Sequence, residues 1–460
     1  MMEILAKTAE RFGPNNAIRT SQNRISFQEL VTKVRAKSEA ILAHGWQPGQ
    51  RLGFPGQADV ATVIRFWSLL NANLVACPYD PRWPRKFVDE TLSRLGIIDW
   101  LDDAESGHLE AAESFKAPHE IGDKLAQLAT ICFSSGSTGT PKAIGHRVEA
   151  HLASATGSNQ NLPLTSRDTW LLSLPIFHVS GLGILFRCLT SGAAVAIPTK
   201  QCPLEQAIHQ LEPTHLSLVP TQLTRLLKRM PRPPEFLRAV LLGGAPIPRD
   251  LISSCESNGW PIYTTYGLSE TASQITTTEP GATMDDLFTV GRVLAGRKIM
   301  IGQENEILVQ GDTMFEGYVK SDRLDPSRDL NGWFATGDRG YFDDEQRLVV
   351  LGRRDNQFIS GGENIYPEEI ERALLSLPGV HQAVVVDIPN SEYGRRPVAF
   401  VDCDAFIPHE WLPSLSQSLP RFKLPDTFLA MPLQSGLKPN RHELRKLAAR
   451  IQDGTTKDSD

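Results

Sequence analysis

The sequence predicts an α/β chain with a large layered N-terminal unit and a small α+β C-terminal unit. Three observations carry this expectation. Short runs rich in Val, Ile and Leu alternate with helical patterns from about residue 25 to residue 270. From about 285 to 352 the texture changes to short strands and turns. A charged turn follows Gly352, and the remainder mixes helix and strand patterns over a length usual for an independent domain. The expected division is 1–352, with a β-rich subdomain near 285–352, then a charged turn at 353–356 and a C-terminal domain at 357–460.

In chain order, Met1 to Glu10 reads as an amphipathic helix carrying acids. Leu128 to Phe133 is strand-like and precedes a Ser/Gly/Thr loop. His215 to Val219 precedes Pro220-Thr-Gln-Leu, Ala239 to Leu242 precedes Gly243-Gly244-Ala245-Pro246, and Pro261 to Thr265 precedes Tyr266-Gly267-Leu268-Ser269-Glu270. In open α/β sheets ligands bind beyond the carboxyl ends of strands, so these loops are expected to converge. Glu306 to Val309 and Gln346 to Leu351 read as strands of the β-rich part. Pro367 to Leu375 is helix-like, Ala383 to Val386 and Pro397 to Val401 are strand-like, and a last helix is expected from His442. Asp453 to Asp460 reads as disordered.

With 460 residues and 41% hydrophobic content the chain can bury large cores. A formal net charge of -6 without a long Lys/Arg cluster argues against nucleic acid as a partner. Cys77, Cys132, Cys188, Cys202, Cys255 and Cys403 lie scattered, without zinc-site spacing, as expected for reduced thiols in the cytoplasm. No apolar run reaches membrane-spanning length, so membrane insertion is not expected. Assembly into a homo-oligomer is compatible with the sequence.

The run Ser134-Ser135-Gly136-Ser137-Thr138-Gly139-Thr140-Pro141-Lys142 gathers hydroxyls, glycines and one cation directly after an apolar segment. Such a loop suits phosphate. Glycines permit close backbone approach, hydroxyls and N–H groups donate to anionic oxygens, and Lys142 supplies positive charge. The spacing is not that of a Walker A loop, nor of a hydrolase nucleophile elbow, because Ser135 stands where the first Gly would be. A flexible linker is the competing reading, but linkers seldom follow a buried-looking strand or end in Pro-Lys.

Together with Pro175 to His178, Gly243 to Pro246, Tyr266 to Glu270, Phe334-Ala-Thr-Gly-Asp338, Gly352-Arg353-Arg-Asp355, Ser360-Gly361-Gly362-Glu-Asn-Ile365 and Gly436-Leu-Lys438, this loop resembles the adenylate-forming superfamily of acyl-CoA and aryl-CoA synthetases, luciferases and peptide-synthetase adenylation domains. The resemblance spans nearly the whole chain and implies the fold of that superfamily, with ATP, Mg²⁺ and coenzyme A as cofactors or substrates. It implies that the loop and Lys142 hold the β/γ-phosphates, that Glu270 coordinates Mg²⁺, and that Ser269, where the family usually has Thr, donates to the α-phosphate. Tyr266 would face the adenine, with Gly243, Gly244 and Ala245 against the base and Gly267 and Arg353 in the same nucleotide-binding set. Asp338 would take the ribose hydroxyls, as an acceptor-only carboxylate can. The competing readings are a solvated helix-start acid for Glu270, a core aromatic for Tyr266, a turn aspartate for Asp338 and, for His178 apart from its motif, a structural histidine.

The resemblance further implies that His178 lies at the acyl pocket and that Lys438 is the mobile cation of adenylation. Leu437 departs from the family's Gly-Lys and leaves the lysine position less fixed. The resemblance implies too that 353–356 is a hinge and 357–460 a mobile lid, whose rotation about Asp355 would present Ser360, Gly361 and Gly362 to coenzyme A for the thioester step. Adenylation itself needs charge neutralisation and in-line geometry, because a carboxylate attacks an anionic triphosphate poorly.

The phrases His151 to Gly157, Trp170 to Gly181, Ser217 to Leu223 and Ser360 to Pro367 are similar to the o-succinylbenzoate-CoA ligase branch of menaquinone biosynthesis. That branch implies a small-molecule acid with two carboxylates and a pocket combining an apolar slot with donors for the second anion. Arg225 is a candidate donor, or a surface helix arginine. A ligase for another aryl or medium-chain acid is the alternative. A non-catalytic nucleotide-binding module, or an adenylation partner of a separate carrier protein, is a third reading, opposed by the presence of Lys438, Glu270 and Asp338.

Overall fold

Why the apolar runs become strands is clearest at Ala239–Leu242, where all four residues are buried. A parallel strand covered on both faces favours an uninterrupted apolar run. A computed structural model describes residues 1–100, 127–134, 141–321, 323–432 and 439–452. One sheet has nine strands, in the order Arg292–Val293, Ser273–Thr277, Ile262–Leu268, Ala239–Leu242, His215–Leu218, Thr169–Leu171, Ala194–Ala196, Asn16–Arg19 and Arg24–Ser26. Its central strands, from Ile262–Leu268 to Asn16–Arg19, pair in parallel, and both edges turn antiparallel.

A second sheet has seven strands, ordered Leu324–Asp325, Gly317–Val319, Lys142–His146, Thr130–Ser134, Val75–Tyr79, Arg51–Pro55 and Ile98–Asp99. Helices fill the space between and around the two sheets. Phe66, Trp67 and Phe186 meet there edge to face, with ring centroids 5.0 to 6.1 Å apart. The helix Phe27–Ala43 starts with a capping box between Ser26 and Glu29, and Pro220–Arg229 starts on Pro220.

The segment expected to close as one β-rich subdomain instead serves three sheets, with Arg292–Val293 at the edge of the nine-stranded one. Arg297–Ile301, Glu306–Gly311, Phe334–Phe342 and Leu348–Arg353 form an antiparallel four-stranded sheet. Gly317–Val319 leaves it to pair with Lys142–His146. This exchange brings Tyr318 beside the Lys142 strand, which sequence periodicity could not specify.

The small C-terminal domain has a three-stranded sheet of Val380–Asn390, Gly394–Cys403 and Thr427–Ala430. Alternation sends Val385, Ala399 and Val401 to one face, under Pro367–Leu375 and Pro408–Ser418. Val384, Val386 and Phe400 point to the other, under Leu444 and Ala448 of the helix Arg441–Gln452. Arg441 pairs with buried Glu371 at 2.6 Å and Arg445 with buried Asp387 at 2.6 Å, which orients that helix. All six cysteines are free, and among the described residues no helix is long and apolar enough to cross a membrane.

Candidate active site

Strand register assembles the centre of the site. Leu242 pairs with Leu218 on one side and Thr264 on the other, so Gly243 and Thr265 leave adjacent strand ends together. At Gly243 a Cβ would lie 2.7 Å from the Thr265 carbonyl oxygen, and Gly244 has φ of +82°, so this turn needs glycine to press its backbone beside Tyr266. The strand expected to stop at Thr265 runs on to Leu268, and a 3-10 turn, Ser269–Thr271, follows. Tyr266 and Gly267 are therefore ladder residues rather than loop residues, because Ser273–Thr277 folds back and pairs with them.

The Tyr266 hydroxyl donates to Asp338 Oδ2 at 2.6 Å. Asp338 is buried and pairs across the ladder with Arg353, whose guanidinium comes within 3.4 Å of Oδ1. Burial raises the Asp338 carboxyl above its ordinary value, with Arg353 opposing, and burial together with Asp338 pushes the Tyr266 phenol up. Gly337 before it has φ of +73°, and a Cβ there would stand 3.1 Å from Arg353 Nη2.

Lys142 opens the strand Lys142–His146 and is exposed. Its Nζ lies 5.0 Å from the centre of the Tyr318 ring, and the Tyr318 hydroxyl donates to Glu270 Oε1 at 2.8 Å. Glu270 is held by its backbone as well, its carbonyl accepting from Phe315 N at 2.8 Å. His146, at the other end of the Lys142 strand, contacts the Ser269 carbonyl through Nε2 at 2.7 Å. Burial holds that imidazole down at about 4, so at neutral pH it is uncharged and Nε2–H is the donor to the carbonyl. Among the described residues no group of three or more His, Cys, Asp or Glu could hold a metal. A single carboxylate such as Glu270 nevertheless fits Mg²⁺, which binds through one or two carboxylates plus phosphate oxygens and water.

His178 is half-buried at the residue before the helix Val179–Ser191, its ring 4.5 Å from that of Phe177. Arg225 is exposed on Pro220–Arg229. A different arginine, unremarked in the sequence, is buried. Arg187 is 1% exposed, lies over the Trp170 ring at 5.0 Å, and donates to Gln274 Oε1 at 2.7 Å and Ser273 Oγ at 3.2 Å. Among the described residues its Nε has no hydrogen-bond partner, and burial, with the nearby Arg297 cation adding, brings it down to about 10, so it remains a cation whose hydrogen-bond partners Gln274 and Ser273 are neutral. Gln274 and Ser273 pair with Gly267 and Leu268, which sets the guanidinium one strand away from the Tyr266 to Glu270 segment. The available signal was a single arginine inside the apolar helix Val-Ser-Gly-Leu-Gly-Ile-Leu-Phe-Arg-Cys-Leu.

Asp355 sits in the exposed 3-10 turn Arg354–Asn356, 3.7 Å from Arg353. Ser360, Gly361 and Gly362 turn between the short strands Phe358–Ser360 and Glu363–Ile365. Buried Ser360 accepts from Arg396 at 3.3 Å, and Gly361 N donates to the Tyr393 carbonyl at 2.9 Å, so the loop's hydrogen bonds run within the C-terminal domain. The structure thus gathers Gly243, Gly244, Tyr266, Asp338 and Arg353, and separately Lys142, Ser269 and Glu270. Ala245 follows the glycines, and Ser134 ends the strand before the loop. Ser135, Gly136, Ser137, Thr138, Gly139 and Lys438 lie outside the described residues.

This layout, a mixed two-sheet N-terminal domain with its loops converging beside a small C-terminal domain, defines an adenylate-forming enzyme. The chain belongs to the AMP-binding enzyme family, whose main domain matches residues 86–319 and whose C-terminal domain matches residues 369–433. It is 35% identical over 453 residues to the 2-succinylbenzoate–CoA ligase of Escherichia coli K12, covering 96% of this chain and 97% of that one. Two structures of the o-succinylbenzoate CoA synthetase of Bacillus subtilis superpose with TM-scores of 0.82 at 28% identity. One holds the acyl-adenylate OSB-AMP and is covered at 97% of both chains, and the other holds ATP and a magnesium ion, covered at 96% of this chain and 98% of that one.

Proposed function

We propose that this protein joins 2-succinylbenzoate to coenzyme A in the cytoplasm, through an acyl-adenylate, with release of pyrophosphate and then AMP. The observation that carries the choice of acid is Arg187. A buried guanidinium with neutral partners and, among the described residues, an Nε without a hydrogen bond retains an uncompensated desolvation cost. A second carboxylate on the substrate would offset that cost, whereas a monoacid would leave it standing. Arg225, exposed on its helix, is the competing donor for the same group.

In this reading Tyr266, Gly243, Gly244 and Ala245 frame the adenine, and Asp338, steadied by Tyr266 and Arg353, accepts the ribose hydroxyls. The Ser134 to Gly139 loop and Lys142 hold the phosphates, Ser269 donates to the α-phosphate, and Glu270 supplies the protein ligand to Mg²⁺. Bound there, the ion would neutralise phosphate charge. Lys438 brings its cation to the carboxylate and α-phosphate during adenylation. His178 borders the acyl pocket. Turning about Asp355 then brings Ser360, Gly361 and Gly362 to the adenylate for thiol attack, in a reaction that one fixed site would serve poorly. Six free thiols agree with a reducing compartment.

The test compares 2-succinylbenzoate with 4-oxo-4-phenylbutanoate, which lacks only the aromatic carboxylate. The proposal expects kcat/KM for the diacid to exceed that for the monoacid by about a hundredfold, the scale of a buried charge-assisted contact. Equal values would overturn the diacid pocket.

A further inference from the structure

Lys142 and Glu270 carry opposite charges, the first on a strand of the seven-stranded sheet and the second in the 3-10 turn Ser269–Thr271. Left alone, such a pair would close on itself and compete with any ligand that needs both charges free. Among the described residues neither forms an ion pair. Tyr318 stands between them, with its ring face 5.0 Å from Lys142 Nζ and its hydroxyl on Glu270 Oε1 at 2.8 Å. Its own place is fixed from several sides. Tyr318 pairs with Ile144 of the Lys142 strand, and its ring meets Phe315 edge to face at 5.1 Å. Phe315 N in turn holds the Glu270 carbonyl. A phenol hydroxyl beside an acceptor-only carboxylate is the donor of the pair.

The geometry points to Tyr318 as a positioning residue that keeps Lys142 and Glu270 apart and aims the carboxylate for the metal–nucleotide complex. The inference rests on the proposed roles of those two residues. The ring face attracts the ammonium without neutralising it. The hydroxyl occupies one carboxylate oxygen and so fixes the direction of the other. A spacer with both a π-face and a donor is required, and tyrosine supplies both on one rigid side chain.

The experiment is direct ATP titration by calorimetry, with and without Mg²⁺, on the full chain. Tyr318→Phe keeps the ring and is expected to lose about tenfold of the affinity that Mg²⁺ adds, as for a lost hydrogen bond to an ionised group, while Mg²⁺-free binding stays unchanged. Tyr318→Leu removes the spacer, so Mg²⁺-free ATP binding weakens as Glu270 captures Lys142. Adding Glu270→Gln to Tyr318→Leu restores it, a rescue that general damage to the fold would not give. Tyr318→Phe with the wild-type Mg²⁺ gain, or a double variant no better than Tyr318→Leu, would overturn the inference. Glu270→Gln alone tests the underlying reading: if it retains the full Mg²⁺ gain, the metal role fails whatever Tyr318 does.

Discussion

Tyr266 and Asp338 are joined by a 2.6 Å hydrogen bond that ties the nine-stranded sheet to the four-stranded one. The residue proposed to face the adenine thereby holds the residue proposed to take the ribose. Tyr266→Phe keeps the aromatic face and removes the donor. ATP KM is expected to rise about tenfold while KM for the acid stays unchanged. The hydroxyl works to lower the Asp338 pKa, so its loss also moves the acid limb of ATP binding to higher pH. Steady-state kinetics from pH 5 to 8 check both outcomes; an unmoved ATP KM would contradict the coupling.

Arg187 and Arg225 make opposite claims on the second carboxylate. Arg187→Met, similar in length and uncharged, is expected to lower kcat/KM for 2-succinylbenzoate about a hundredfold with little change for 4-oxo-4-phenylbutanoate. Arg225→Ala is expected to leave the ratio between the two acids near that of the wild type. If only Arg225→Ala changes the ratio, the receptor is the exposed arginine.

The two half-reactions should separate by substitution. Lys438→Ala is expected to abolish adenylation, measured as acid-dependent pyrophosphate release, while leaving conversion of supplied acyl-adenylate to thioester. Asp355→Pro should do the reverse. A 3-10 turn tolerates the fixed φ of proline in the present orientation, but the hinge cannot then reach a different φ. Equal loss of both half-reactions in both variants would contradict this division.

Much of the architecture was legible because local pattern and burial agree. Ala239–Leu242 and Pro367–Leu375 form where their apolar spacing indicates. The Ser134 to Lys142 loop was legible through its glycines and hydroxyls after a strand, whereas the roles proposed for Tyr266, Glu270 and Asp338 came from the resemblance to the family. What the pattern did not reveal depends on contacts between distant segments. Tyr318 reaches Glu270 only because Gly317–Val319 joins the seven-stranded sheet, and local texture had put it in a separate β-rich unit. Arg187 sits in a helix whose neighbours are apolar, and only the folded chain shows that it is buried and that, among the described residues, it forms no ion pair. The strand through Tyr266 outran its apolar run because a returning strand satisfies its backbone.

Stability should fall on mild acidification. Burial takes His146 and His215 from 6.5 down to about 4. Both pKa values are depressed in the folded state, so their contribution is complete above pH 6.5 and is lost as pH falls toward 4, where the unfolded chain has bound protons that the native one refuses. Each histidine accounts for roughly 3 kcal/mol at the acid end. Urea unfolding is expected to show a lower midpoint at pH 5 than at pH 7, with a smaller difference in His215→Gln. A midpoint independent of pH in this range would contradict the buried neutral histidines.

The most direct measurement is mass analysis of the product formed from ATP, Mg²⁺, coenzyme A and 2-succinylbenzoate, with benzoate and octanoate in parallel. The account predicts the succinylbenzoyl thioester of coenzyme A, formed with one pyrophosphate and one AMP, and little product from the other two acids. Pyrophosphate release without the thioester, or preferential turnover of benzoate or octanoate, would contradict it.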